Sequence, residues 1–357
     1  MNSEFAFMLS HYFFTAYFFE VFSIYMHQFI LGKNMFNFAY FIPLIIISIF
    51  TVLLYISKKF SESFHCLIHV ISGLYLGYIL YIFQFAVVLR LILIFYSLPK
   101  VISFCILYIG PILVNIYGIK NGLATKIQEV TLKYPGFKNK VKILHLSDIH
   151  LGAFYQTDAV QMVVNETIKI NPDIVVITGD LADGSLKVKT EWLMPFNELN
   201  VPILYVTGNH EEMNPTTDMI QCIKETNIKY IGNHEHFMFK GVNFIGEDYG
   251  YDLHKVLKDI KCQEGVPNVL LSHVPCLSPE QSGKYNIFLF LAGHTHGGQN
   301  FPFHIPTYLG NACFAGLYSS KNKKSHVYVS EGVNPSLLPI KVGCYRTFPV
   351  ITIEGEN

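Results

Sequence analysis

Arginine is nearly missing from this chain: among its 26 basic residues only Arg90 and Arg346 are arginines. The acidic residues match the basic ones to a net charge of zero, so nothing in the composition suggests a nucleic-acid surface. Paired cysteines are lacking as well. The seven, at 66, 105, 222, 262, 276, 313 and 344, are odd in number and include no CxxC. That excludes a zinc ribbon and a complete disulfide framework, and it fits a reducing compartment. Neither an internal repeat nor a low-complexity tract occurs. The most informative shortage is local: residues 1–120 hold six Lys or Arg and three Asp or Glu, against 20 and 23 in 121–357.

A first third so poor in charge reads as a membrane domain over 1–120, followed by a normally charged globular domain over 121–357. Four apolar stretches reach the roughly 20 residues that a membrane helix requires: about 5–31, 35–57 (MFNFAYFIPLIIISIFTVLLYIS), 64–89 and 101–119. The N-terminus has no basic region of the kind that starts a cleavable signal peptide. Charges fall between the stretches, at Lys33, Lys58, Lys59, Arg90 and Lys100, and continue after the last at Lys120, Lys126 and Lys133. Placing Lys58, Lys59 and the downstream lysines inside puts the globular domain in the cytoplasm. Only Glu20 sits well within a span. His65 and His69 share a helix face and read as packing groups before they read as a metal pair. The helices are an anchor and not a transport path.

Beyond YGIKNGLATKIQEV the pattern becomes short apolar runs alternating with helical stretches. VKILHLSD (141–148), DIVVITGD (173–180), VPILYVTGNH (201–210), NVLLSH (268–273) and NIFLFLAGH (286–294) read as buried strands. Val160, Val163, Val164 and Ile168 lie at helical spacing, and NPD at 171–173 ends that helix. The expectation is an α/β domain on a largely parallel sheet.

Each run ends in metal-binding residue types. Asp148 and His150 follow the first and Asp180 and Asp183 the second; Asn209, His210 and Glu211 follow the third, His273 the fourth, and His294 and His296 the fifth. Ligand sites in open α/β sheets lie beyond the carboxyl ends of strands, so five such clusters converge. In extended backbone residues i and i+2 project alike, which lets Asp148 and His150, or His294 and His296, face one site. Taken singly, Asp180 is equally well a helix N-cap, and His273 a core histidine. Their joint order and position is what points to a site.

The succession D-x-H, G-D-x-x-D, G-N-H-E, H, G-H-x-H resembles the calcineurin-like metallophosphoesterases. The resemblance implies a β-sandwich core flanked by helices and two divalent ions. One ion would be held by Asp148, His150, Asp180 and His296; the other by Asp180, Asn209, His273 and His294, with Asp180 bridging. It also implies catalytic roles for His210, beside the scissile phosphate, and for Asp183, which would orient it. A nitrogen and oxygen donor set without thiolate suits manganese, iron or zinc, with manganese preferred.

The spans, the YGIKN junction and GHTHGGQ further resemble membrane-anchored members that hydrolyse UDP-2,3-diacylglucosamine to UMP and a lipid sugar monophosphate in lipid A biosynthesis. The expected partners are therefore the membrane and a phospholipid or lipid-linked nucleotide, with no nucleic acid. Two other readings stand beside this one: a phosphoesterase acting on another phospholipid, nucleotide or phosphoprotein, and a non-catalytic membrane scaffold. Near the C-terminus, LPIKVGCYRTFPVITI resembles a strand pair of this subgroup with Lys341 in place of an arginine, where it would meet substrate phosphate as a point charge. Lys321, Lys323 and Lys324 could meet anionic headgroups or form a solvated turn.

Overall fold

The structure, a computed structural model, describes residues 42–57, 59–213, 218–251, 253–259 and 262–356. The chain divides into two compact units, residues 1–120 with Leu337–Ile340, and residues 121–336 with 341–357.

In the first unit helices run Ile42–Ser57, Glu62–Phe95 and Lys100–Phe104, the last continuing through a π turn at Cys105–Ile109 into Gly110–Leu123. Ser61 opens the second helix by accepting from the Phe64 N–H. Glu62–Phe95 and Lys100–Leu123 are long and apolar enough to cross a membrane, by length and composition. The span expected at 64–89 is therefore longer, because Leu91, Ile92, Leu93 and Ile94 carry the apolar run on to Phe95. The span expected at 35–57 is described only from Ile42, as a helix of 16 residues. The one at 5–31, with Glu20, lies outside the described residues. Only 28% of the apolar window of each long helix is buried, and Ile71, Val88, Ile94 and Leu113 are among the apolar side chains left exposed. The buried His65 meets the Ser57 hydroxyl at 2.7 Å through Nδ1, and its ring lies 4.5 Å from that of His69. Those contacts make His65 a packing residue.

The second unit is built on two six-stranded sheets. The first has the order β1 (Thr125–Tyr134), β12 (Arg346–Gly355), β2 (Lys140–Leu146), β3 (Ile174–Thr178), β4 (Ile203–Val206), β5 (Ile228–Tyr230). The second has β10 (Gly316–Ser319), β11 (His326–Val329), β9 (Leu289–Ala292), β8 (Asn268–Leu271), β7 (Val242–Gly246), β6 (His236–Phe239). Parallel pairing runs through β2–β3–β4–β5 and β7–β8–β9–β11, and β12 is parallel to β1 but antiparallel to β2.

All five anticipated strands exist, but not in one sheet: β2, β3 and β4 belong to the first, β8 and β9 to the second. Their residues are apolar on both faces, so periodicity carries no information about which sheet a strand joins. The β-sandwich implied by the resemblance is the architecture present. Val141, Ile143, Val176 and Leu204 of the first sheet pack against Phe244, Val269, Leu271 and Leu289 of the second in one buried cluster. Leu144, Leu146, Val175 and Ile177 point the other way, under the helix Thr157–Ile170. Val160, Val163 and Val164 of that helix are fully buried, with Thr167 and Ile170 completing the stripe. Ile168 instead faces solvent. As expected, the helix stops at NPD, where Asn171 adopts a left-handed φ of 51°.

Because β12 lies between β1 and β2, it completes the hydrogen bonding of two strands that precede it by about 200 residues. Terminating translation before Arg346 should therefore leave the whole second unit unfolded. Limited proteolysis of the truncated chain should degrade residues 121–345 where the full chain resists.

Candidate metal centre

The five anticipated clusters do meet, at the ends of β2, β3, β4, β8 and β9. Asp148, His150 and His296 place one ligand atom each within 4.8 Å of one another, as do His150, Asp180 and His210, and Asp148, Asp180 and His273. His150 Nε2 lies 3.0 Å from His296 Nε2, and His296 Nε2 lies 3.2 Å from Asp148 Oδ1. In the neighbouring group the Asn209 side-chain oxygen is 2.9 Å from both His273 Nε2 and His294 Nδ1, which are themselves 3.3 Å apart. Asp180 belongs to both groups: its Oδ2 is 3.2 Å from His273 Nε2 and 3.8 Å from His150 Nε2. The histidines His294 and His296 thus serve different groups, although one residue separates them.

The route to this convergence is not the one expected. The strands end at Leu146, Thr178 and Ala292, before the ligands. Asp148, His150, Asp180, His294 and His296 all have φ between 50° and 71°. They sit in left-handed turns, and the extended i, i+2 projection does not apply. For residues other than glycine such backbone costs about 1–2 kcal/mol each and gathers at functional sites.

Hydrogen bonds between the turns hold them there. The Asp148 and His150 N–H groups donate to the carbonyls of Gly179 and Asp180 at 3.1 and 3.0 Å. Close approach does the rest: a Cβ on Gly208 would lie 2.3 Å from Asp180 Oδ1, and one on Gly179 2.7 Å from His273 Nδ1.

Two residues that sequence reasoning left without a role organise these turns. Glu211 is buried and accepts from the N–H groups of Asp180, Ala182 and Gly208 at 3.0, 2.8 and 2.7 Å, tying the second and third clusters together. Asn334 clasps the first cluster: its N–H and side-chain amide donate to the carbonyls of Asp148 and Ile149 at 3.0 and 2.7 Å. Arg346 holds Asn334 in turn, donating to its side-chain oxygen at 2.9 Å. The glutamate of GNHE was a visible signal. Asn334, about 185 residues from the loop it holds, offered none.

The electrostatics favour bound cations. Burial raises the Asp148 carboxyl, yet His296, His273 and His150 outweigh it and hold Asp148 well below the usual carboxylate range. Asp180 is lowered likewise against its own burial, chiefly by His273. His273, despite a burial that disfavours charge, is pushed up to about 10 by Asp180 and Asp148, and its Nδ1 is fixed by the Thr178 carbonyl at 2.9 Å. His294 falls to about 4 through burial and the charge of His273. With ions present, neutral imidazoles and ionised carboxylates are the forms that bind them. The buried Nδ1 atoms of His150 and His296 make no hydrogen bond in the structure, so their Nε2 atoms are the ones aimed at the site. The donor set fits two divalent cations.

His210, which shares one of these groups with His150 and Asp180, has its Nε2 3.9 Å from Asp180 Oδ2 and its Nδ1 3.0 Å from the Asp183 main-chain carbonyl. Asp183 therefore meets His210 through its backbone. Its carboxylate is taken by the N–H and hydroxyl of Ser185 at 2.7 and 2.6 Å, and burial pushes it up to about 6. Lys341 also departs from expectation. It is fully buried and donates to the carbonyls of Glu331, Gly332 and Tyr345 at 2.7, 2.7 and 2.9 Å. It braces the loop that carries Asn334 and is not a phosphate contact. The segment around it holds one strand, β12, not a strand pair.

Residues 141–298 match the family model described as calcineurin-like phosphoesterase, and over that stretch the chain is similar to members of the calcineurin-like metallophosphoesterase superfamily. Among its relatives, an uncharacterized metallophosphoesterase of Helicobacter pylori is 31% identical over 236 residues, 63% of each chain. A Bos taurus protein described as a transmembrane protein with metallophosphoesterase domain is 31% identical over 245 residues, 61% of this chain and 54% of that one. The match thus spans less than two thirds of either relative.

Replacing Glu211 by Ala should strip the acceptor from three buried N–H groups and cost about 3 kcal/mol or more. Metal content should fall with stability, measured by elemental analysis and thermal unfolding, although Glu211 belongs to neither donor group. Lys341→Met should lower the unfolding temperature while leaving KM for a soluble phosphoester within about twofold, since no phosphate contact is lost. Burial pushes the Lys341 ammonium down from 10.5 to about 8. The unfolded chain thus binds the extra proton between those values, and this residue's contribution to stability rises with pH across that window. Subtracting the variant's stability curve should expose that slope.

Proposed function

We propose that this protein is a membrane-anchored, dinuclear metal-dependent phosphoesterase that hydrolyses the pyrophosphate of UDP-2,3-diacylglucosamine, releasing UMP and 2,3-diacylglucosamine 1-phosphate. The observation that carries the hydrolytic reading is the pair of donor groups sharing Asp180, with His210 alongside. Asp148, His150, Asp180 and His296 would hold one divalent ion, and Asp180, Asn209, His273 and His294 the other; manganese is our first choice, iron and zinc the alternatives. When bound, such ions supply Lewis-acid charge to phosphoryl oxygens and acidify water.

The chain itself contributes orientation and a proton. His210 donates from Nδ1 to the Asp183 carbonyl, which leaves Nε2 facing the donor groups. Burial disfavours its charge, but Asp180 and the Asp183 carbonyl outweigh that and raise it above 6.5. A protonated Nε2–H can neutralise a phosphoryl oxygen and then pass to the departing one. Asp183 and Asp180 hold the ring in position.

Support for a lipid substrate comes from the two long apolar helices, whose exposed apolar faces suit lipid better than water. The second leads into β1 across Ala124 alone, so a substrate confined to the bilayer is met without a search through solution. We place the catalytic domain on the cytoplasmic side of a bacterial inner membrane, where a nucleotide-linked sugar is found. A non-catalytic scaffold would have no need to keep all of these donors.

Chelation should abolish hydrolysis and manganese should restore it. His210→Ala should lower kcat by about 10²–10⁴ with two metal ions per chain retained, whereas Asp180→Ala should lose metal. The acid form of His210 is lost as pH rises past its elevated pKa, so the alkaline fall in kcat should disappear in His210→Gln. Purified protein in detergent should release UMP from the diacylated substrate far faster than from UDP-N-acetylglucosamine. Equal rates would overturn the lipid reading and leave the phosphoesterase reading standing.

A further inference from the structure

Directly after the His296 turn the chain departs from the rest of the second unit in composition and in exposure. No Asp or Glu occurs between Glu280 and Glu331, while Lys284, Lys321, Lys323 and Lys324 do. Within that stretch lies the helix His304–Gly310, none of whose residues is buried. Phe301, Phe303, Ile305, Tyr308 and Leu309 are all exposed, Leu309 at 76%, and Leu317 faces outward on the edge strand β10. Elsewhere on this unit exposed large apolar residues come singly along the chain, as at Ile168, Met194 and Met238. Single ones are ordinary; a contiguous set marks a contact surface.

The set is built onto the metal centre. A Cβ on Gly298, two residues past His296, would lie 2.6 Å from the His304 Cα, so the helix starts hard against the turn that carries the ligand. Phe314 fastens it from the other side, its ring 6.3 Å from His304 and 6.0 Å from Tyr308. At the far end of β10 the chain turns through Lys321, Lys323 and Lys324. Lys321 and Lys324, with Lys284, Asn286 and Asn322, line a cavity of about 440 Å³, to which Glu280 adds one acidic side chain.

We propose that residues 301–309 and Leu317, flanked by the lysine turn 321–324, form an interfacial docking surface that lays the metal centre's rim against an anionic lipid bilayer. The proposal rests on the reading that the N-terminal helices span the membrane. Three features select lipid over a protein partner. Phenylalanine, tyrosine and aliphatic side chains without a buried face are what enters the boundary between headgroups and acyl chains. The lysines meet anionic headgroups, and the acid-free run of 50 residues leaves Glu280 as the one acidic side chain lining their cavity. The covalent join of the helix to β1 through Ala124 tethers the second unit to whatever bilayer holds the helices. A lipid-linked substrate would then reach the centre by sliding along the surface without leaving the membrane.

The test uses the full chain reconstituted in phosphatidylcholine vesicles with and without phosphatidylglycerol. The single tryptophan, Trp192, is buried; it is replaced by Phe, or its signal subtracted where that variant is unstable. A tryptophan probe is then introduced by L309W or, as reference on the exposed side of the helix Thr157–Ile170, by I168W. Brominated acyl chains should quench the L309W probe at least about twofold more than the I168W probe, more so with phosphatidylglycerol, while aqueous acrylamide should show the reverse order. Equal quenching of the two probes by brominated lipid overturns the proposal. So does shielding of the L309W probe from both quenchers that grows with protein density, since that marks a second copy as the occupant. Release of the protein by a carbonate wash would instead overturn the anchor, and quenching measured before the wash would still decide the docking surface.

Discussion

Two carboxylates buried in a cage of imidazoles are the constraint on which the second unit depends. Asp148 and Asp180 are almost without solvent contact, and the ring nitrogens of His150, His273 and His296 stand 3.2–3.9 Å from their oxygens. A buried carboxylate without compensation costs several kcal/mol or more. No single loop supplies enough donors to compensate two. Hence the need for five turns from two sheets, with every turn folded back so that its ligand points at a common centre. The left-handed backbone of five ligands follows from that geometry.

What sustains that backbone lies one layer out. Glu211 satisfies three N–H groups of two ligand turns, and Asn334, held by Arg346, satisfies two carbonyls of a third. These bonds are buried, where an unmade bond costs about 1–3 kcal/mol, so they oppose relaxation of the turns towards ordinary φ. Lys341, donating to three carbonyls, extends the same arrangement to the loop bearing Asn334. The scarcity of arginine gives Arg346 particular interest. One of only two in the chain, it is spent on this framework and not on substrate phosphate.

Much of this was legible in the sequence, for a definable reason. Metal ligands are few in type and must follow strands closely, so five clusters in order identify themselves. Apolar runs of four to eight residues likewise declare buried strands, and all five form. Sheet membership stayed hidden because a strand buried on both faces looks the same in either sheet. The left-handed turns stayed hidden because Asp and His carry no marker for them as glycine does. Lys341 misled for a different reason: a lysine near the end of a phosphoesterase domain suggests an anion, and only its three carbonyl partners show that it is a brace. Asp183 shows the same limit at one remove, since the sequence does not tell which of its groups meets His210, and the group that does is its main-chain carbonyl.

The position of β12 sets the order in which this protein can be made. β1 is the first strand of the second unit to be made, directly after the helix Gly110–Leu123. Yet β1 has no partner until residues 346–355 have been synthesised, because β12 is the strand that joins it to β2. For the whole time the ribosome takes to deliver the intervening 200 or so residues, two strand edges stand open, and the loop of Asn334 lacks its arginine. A cell making this protein must shield a half-formed sheet until then, which makes newly made chains, more than mature ones, the stage vulnerable to misfolding and to protease.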